Sequence, residues 1–115
     1  MRRRLHDVDD RDHLNRKLRT LMHCALSRTT LRLSCRRCRH SVLYDAVPVW
    51  WHFHRKGIDD RIPEVLEHFY CTRCWRDRQT VSRPKLQITR TMPDTCPLPY
   101  PDQQTWKNFM SRYRS

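Results

Sequence analysis

Two cysteine pairs, Cys35-Arg36-Arg37-Cys38 and Cys71-Thr72-Arg73-Cys74, are the residues here whose types and spacing speak most directly of chemistry. Each pair puts two thiolates on one tight turn, and two such turns facing each other form a tetrahedral cage for zinc. Residues 39–70 separate the pairs. That span exceeds the roughly 15–20 residues of the commonest four-cysteine pattern and is long enough to hold helices. Cys35, Cys38, Cys71 and Cys74 are therefore read as ligands of one structural zinc ion. Four thiolates leave no position for water, which argues against metal catalysis. A redox role would need a βαβ setting that this stretch lacks. Cys24 and Cys96 are spare: Cys24 is expected as a small buried hydrophobe on a helix, and Cys96 falls in a proline-rich stretch.

The residues inside and just beyond the pairs are arginines. Arg36, Arg37 and Arg39 accompany the first pair; Arg73, Arg76 and Arg78 accompany the second; Arg32 lies on the segment leading in. Knuckle turns point their intervening side chains outward, so these arginines are expected to share a surface around the metal. The bland alternative is that exposed knuckle residues need only be polar. The whole chain leans the same way, with a net charge of +12, a sequence pI near 10.2 and 20 of its 24 basic residues arginine. Arginine forks match phosphates and guanine edges, so the charge favours a nucleic-acid partner, with an acidic protein surface as the other possibility.

Seven histidines invite an enzymatic reading. Zinc-stapled nucleases of the HNH type need a His-and-Asn metal site, yet residues 39–70 contain no asparagine. The deaminase signature His-x-Glu with Pro-Cys-x-x-Cys is also missing. With no nucleophile–base pair or carboxylate pair legible, no enzyme is expected.

The positioning elements follow from periodicity. Residues 1–12 read as a charged arm, and Leu14, Leu18, Leu21, Met22 and Ala25 predict a helix from Asp10 or Asp12 to Ser27. Thr29 to Ser34 alternates like a strand entering the first knuckle. Asp45 is placed as an N-cap, with Pro48 tolerated in the first turn. The helix that follows carries Val47, Trp50, Trp51 and Phe53 and stops at Gly57, the only glycine. Trp50 is expected in the core and Trp51 partly outside it. A short helix over Asp60–Glu67 presents Ile62, Val65 and Leu66. Gln79–Ser82 and Leu86–Thr91 read as two strands or one bent strand around a turn at Arg83-Pro84-Lys85. Pro93, Pro97, Pro99 and Pro101 mark a linker. A last helix, Asp102 to about Tyr113, gathers Trp106, Phe109, Met110 and Tyr113 on one face, suited to a partner's groove.

With 37% hydrophobic and 31% charged residues in 115, the chain has a small core of the kind a metal commonly supports. The acids after Met1-Arg2-Arg3-Arg4 fit neither a secretory signal nor a mitochondrial presequence, and no apolar run reaches membrane length. Cytoplasmic residence with reduced thiols is the expectation.

The stretch from Leu31 to about Ile88, with Leu31-Arg32-Leu33-Ser34-Cys35-Arg36-Arg37-Cys38 and Phe69-Tyr70-Cys71-Thr72-Arg73-Cys74, resembles a small zinc-ribbon-like family of alphaproteobacteria and their phages. The resemblance implies a zinc ribbon and no activity. A glycine commonly follows each pair in zinc ribbons; Arg39 and Trp75 stand there instead. The expected architecture is α+β: a basic arm and amphipathic helix (1–28), a zinc ribbon with two knuckles and a helical insertion (29–91), a proline-rich linker (92–101) and an aromatic helix (102–115). The expected role is non-enzymatic nucleic-acid binding, as in a small transcription or phage regulatory factor. The alternative is an adaptor or inhibitor docking through the last helix on a larger machine such as RNA polymerase, a ribosome or a nuclease complex.

Overall fold

The computed structural model describes residues 11, 16–94 and 98–114, with side chains through Arg112. The charged arm apart from Arg11, Leu14, Cys96 and the Tyr113 side chain lie outside the described residues.

Three antiparallel strands form the sheet: β1 (Thr30–Ser34), β2 (Ser41–Asp45) and β3 (Lys85–Thr89), in the order β2-β1-β3. Leu31 and Leu33 share one face of the central strand because side chains alternate with period two. They pair across with Tyr44 and Val42 on one side and with Ile88 and Leu86 on the other. Arg32 occupies the opposite face, between Leu43 and Gln87.

Strand β2 corrects the expected all-helical insertion. Once the first cysteine turn reverses the chain, Ser41–Asp45 falls into register with β1, and pairing the backbone decides its state. Asp45 then ends the strand and caps α2 (Ala46–Lys56), its Oδ1 accepting from the Val47 amide at 3.0 Å. Gly57 closes the helix in the left-handed region at φ 66°, as its lone glycine predicted.

The first helix is shorter than expected. Residues 16–20 are not helical, and α1 spans Leu21–Leu26 behind an N-cap at Thr20. A long-range pairing replaces the missing turns: Leu21 N–H donates to the Asp60 carbonyl (2.8 Å) and Ile62 N–H to that of Arg19 (3.0 Å). Leu18 is still buried, on an extended segment instead of a helical stripe. The segment before the second cysteine pair forms α3 (Ile62–Val65) and a 3₁₀ turn, Leu66–His68.

The main core collects Leu21, Leu31, Val49, Trp50, Phe53, Val65 and Ile88, joined by Trp106 and Phe109 of α5 (Gln103–Arg114). Trp50 is its hub, with ring centroids 4.3 Å from Phe109 and 5.5 Å from Trp106. The aromatic stripe of the last helix therefore covers this chain's own core, and Met110 packs at its edge. The described residues of that stripe thus already pack on this chain's own core, Trp106 and Phe109 buried and Met110 half-buried. Two described residues of the proline-rich stretch, Asp94 and Tyr100, are tied to β2. Leu43 N–H donates to Asp94 Oδ2 (3.1 Å), Asp94 N–H returns a bond to the Leu43 carbonyl (2.8 Å), and Tyr100 donates its hydroxyl to Asp45 Oδ2 (2.8 Å). No helix among the described residues is long and apolar enough to cross a membrane.

Candidate metal centre

The cysteines form a second, smaller core apart from the first. The first pair occupies the β1–β2 reversal. Cys35 N–H donates to the His40 carbonyl (2.8 Å) and Arg39 N–H to that of Cys35 (3.0 Å), closing a knuckle. Arg39 takes φ 66°, a left-handed conformation that favours glycine. The position where zinc ribbons commonly place glycine thus keeps its geometry here at some conformational cost.

The second pair is not a knuckle. Cys71 is the N-cap of α4 (Thr72–Arg78), and Cys74 lies in the helix's first turn. The Cys74 amide donates to Cys71 Sγ at 3.4 Å. Trp75 therefore has a helical backbone, and no glycine is called for after this pair. The expected strand over Gln79–Ser82 is absent: Gln79 terminates α4 at φ 53°, and 80–84 is irregular before β3. One hairpin knuckle facing one helix start replaces the two knuckles of the expected ribbon.

The four sulfurs all lie within 4.8 Å of one another, with Cys35 Sγ and Cys74 Sγ 3.5 Å apart and Cys38 Sγ and Cys71 Sγ also 3.5 Å apart. A tetrahedron with metal–sulfur bonds of about 2.3 Å has edges of about 3.8 Å, so the cluster fits a metal ion. The separations are too long for disulfide bonds, and all four cysteines are free. Three are buried and Cys38 is half-buried.

Electrostatically the cluster is lopsided. Burial opposes ionisation of Cys35, but hydrogen bonds from Ser82, the Cys38 and Arg37 backbone and Cys74 outweigh it and bring the thiol down to about 5. Cys74 is pushed up to about 12 by burial and by hydrogen bonding to the Cys35, Cys38 and Cys71 sulfurs. Four thiolates gathered this closely repel one another, and a bound cation offsets that repulsion.

Two contributors gave no signal in the sequence. Ser82 is buried, with Oγ 3.3 Å from Cys35 Sγ, and its carbonyl accepts from the Cys71 amide at 2.9 Å. Arg83 donates from Nη1 to the Phe69 carbonyl at 2.9 Å, holding the approach to Cys71.

Arg36, Arg37 and Arg39 are exposed on the first cysteine turn, and Arg73, Arg76 and Arg78 are exposed on α4. Arg73 and Arg76 fall on one stripe of α4, whereas Arg78 lies nearer the side of Cys74. Arg32 is half-buried on β1, away from these turns. Asp77 touches Arg76 (3.2 Å) and is the one acidic residue in 69–84; residues 33–44 have none. Cys24 sits fully buried in α1, as expected.

Comparisons with protein-family models, curated proteins and solved structures return no match.

Proposed function

We propose that this chain is a non-enzymatic nucleic-acid-binding protein whose four cysteines hold one structural zinc ion. Zinc suits an all-thiolate tetrahedral donor set, and with every position taken by sulfur the metal would set shape instead of activating water. The observation that carries the reading is the meeting of the two arginine-bearing segments at the sulfur cluster. Six exposed arginines lie on the first cysteine turn and on α4, the two segments whose sulfurs lie within 4.8 Å of one another, with one carboxylate among them. Such a field suits phosphates. A role as a small transcription or phage regulatory factor, and membership of the zinc-ribbon-like family it resembles, belong to the same proposal.

The adaptor alternative loses support, because Trp106 and Phe109 cannot fill a partner's groove while packed on Trp50. The test is a titration of the metal-loaded chain with labelled nucleic acid across ionic strength. Affinity should fall log-linearly with salt, with a slope of about −0.7 per neutralised phosphate on single strands and −0.9 on duplex. Binding indifferent to salt, or none at low salt, refutes it.

A further inference from the structure

Beside the cysteine cluster two large aromatic rings stand nearly half in water: Tyr70 is 46% exposed and Trp75 44%. They bracket the second cysteine pair, with ring centroids 6.4 Å apart and planes at 79°. The remaining tryptophans are engaged elsewhere. Trp50 and Trp106 are buried, and Trp51 lies under the Arg55 guanidinium at 5.5 Å. Trp75 shares α4 with all three arginines of the second segment, and Arg78, three residues on, is its neighbour along the helix surface. Next to Tyr70 a crevice opens between the β1–β2 hairpin and the approach to Cys71, lined by His40, Tyr44, Phe69 and Thr72 among others.

We propose that Tyr70 and Trp75 form a stacking platform for single-stranded nucleic acid, with Arg78 and the adjoining Arg76 supplying its phosphate contacts. This rests on the nucleic-acid reading above and narrows it. Flat rings interleaved with arginines are what a single strand needs, because every unpaired base offers a π-face and every linkage a charge. In a duplex the base faces are covered by their neighbours, so the rings would have nothing to stack on. An acidic protein surface would satisfy the arginines but leave both rings uncovered.

The experiment uses the full metal-loaded chain, a short labelled oligothymidylate, and the same strand annealed to oligoadenylate. Anisotropy reports affinity and tryptophan emission reports stacking. The single strand should bind more tightly than the duplex and quench emission. Trp75→Ala should weaken single-strand binding about 5- to 150-fold, the equivalent of one lost stacking contact, with the salt slope unchanged. Tyr70→Ala should act in the same direction, and Trp75→Phe should retain most of the affinity. Arg78→Ala should instead reduce the salt slope by about 0.7. Equal metal content and melting midpoint certify each variant as folded. Duplex binding as tight as single-strand binding, or full affinity in both alanine variants, overturns the platform and leaves the arginine reading standing. Displacement by polyglutamate as efficient as by unlabelled oligothymidylate overturns it too. Absence of binding to either nucleic acid at low salt overturns the nucleic-acid reading and the platform together.

Discussion

The hydroxyl of Ser82 lies 3.3 Å from the sulfur of Cys35. With the same residue's carbonyl accepting from the Cys71 amide, Ser82 touches both halves of the cysteine cluster from a chain position eight residues beyond its last cysteine. A hydroxyl donating to a metal-bound thiolate lowers its basicity toward protons and orients it. Ser82→Ala should therefore weaken metal affinity by about 10- to 100-fold while leaving the fold assembled in excess zinc. Competition against a chromophoric chelator measures it; unchanged affinity would make Ser82 a packing residue only.

If the cysteine cluster holds the proposed metal, removing it should open the molecule locally. The cysteine core is separate from the Trp50 core, and α4 makes no extensive packing with another helix or strand. With four thiolates no longer neutralised, the turns carrying them lose their tie. Hydrogen exchange after chelation should accelerate at 35–41 and 69–84, while amides of α2 stay protected. Simultaneous loss of protection in both regions would show that the staple supports the whole fold.

Arg39 separates geometry from charge. Its left-handed backbone, φ 66°, is one that glycine adopts without steric penalty. Arg39→Gly should hold stability within about 1 kcal/mol, relief of strain offsetting the extra freedom of the unfolded chain. The same change should reduce affinity for nucleic acid and flatten its salt dependence. A stable variant with undiminished binding would remove Arg39 from the interface. Gly57 gives the converse case. A Cβ there would meet nothing within 4 Å, so Gly57→Ala should destabilise by about 1 kcal/mol through backbone strain alone, read from a denaturant titration.

Phe109→Ala should destabilise by about 3–5 kcal/mol, because the ring packs 4.3 Å from Trp50 at the centre of the main core. Thermal or urea unfolding followed by tryptophan emission is the measurement. A near-neutral result would mean that α5 is not part of the core.

Cys24 supplies a pH signature at the alkaline end. Burial, the larger influence, pushes its thiol from 9.0 up to about 12, against a smaller opposing hydrogen bond involving Thr29. The folded state thus favours the neutral thiol more than the unfolded state does. That contribution is complete below about pH 9 and drains away as pH rises from 9 toward 12. Cys24→Ala should remove this part of the alkaline fall in stability, and native Cys24 should resist thiol reagents until the chain unfolds. Rapid labelling at pH 8 in the native state would contradict its burial.

Local chemistry is legible in the sequence. Cys35, Cys38, Cys71 and Cys74 as one cluster, Asp45 as a cap, Gly57 as a stop and Trp50 as core all depend on residue type and near-neighbour spacing, and all appear as read. What tertiary structure decided involves partners distant in sequence. Pairing with β1 made 41–45 a strand, and pairing with 60–62 took 19–20 out of the expected helix. The cysteine spacing is identical in both pairs, so it could not say that one would close a hairpin and the other start a helix. Amphipathic periodicity in the last helix marked Trp106 and Phe109 as needing cover but not by what; only the packed Trp50 ring answers that. Ser82 and the exposed Tyr70–Trp75 pair came from the fold alone, because burial and proximity across tens of residues leave no trace in local pattern.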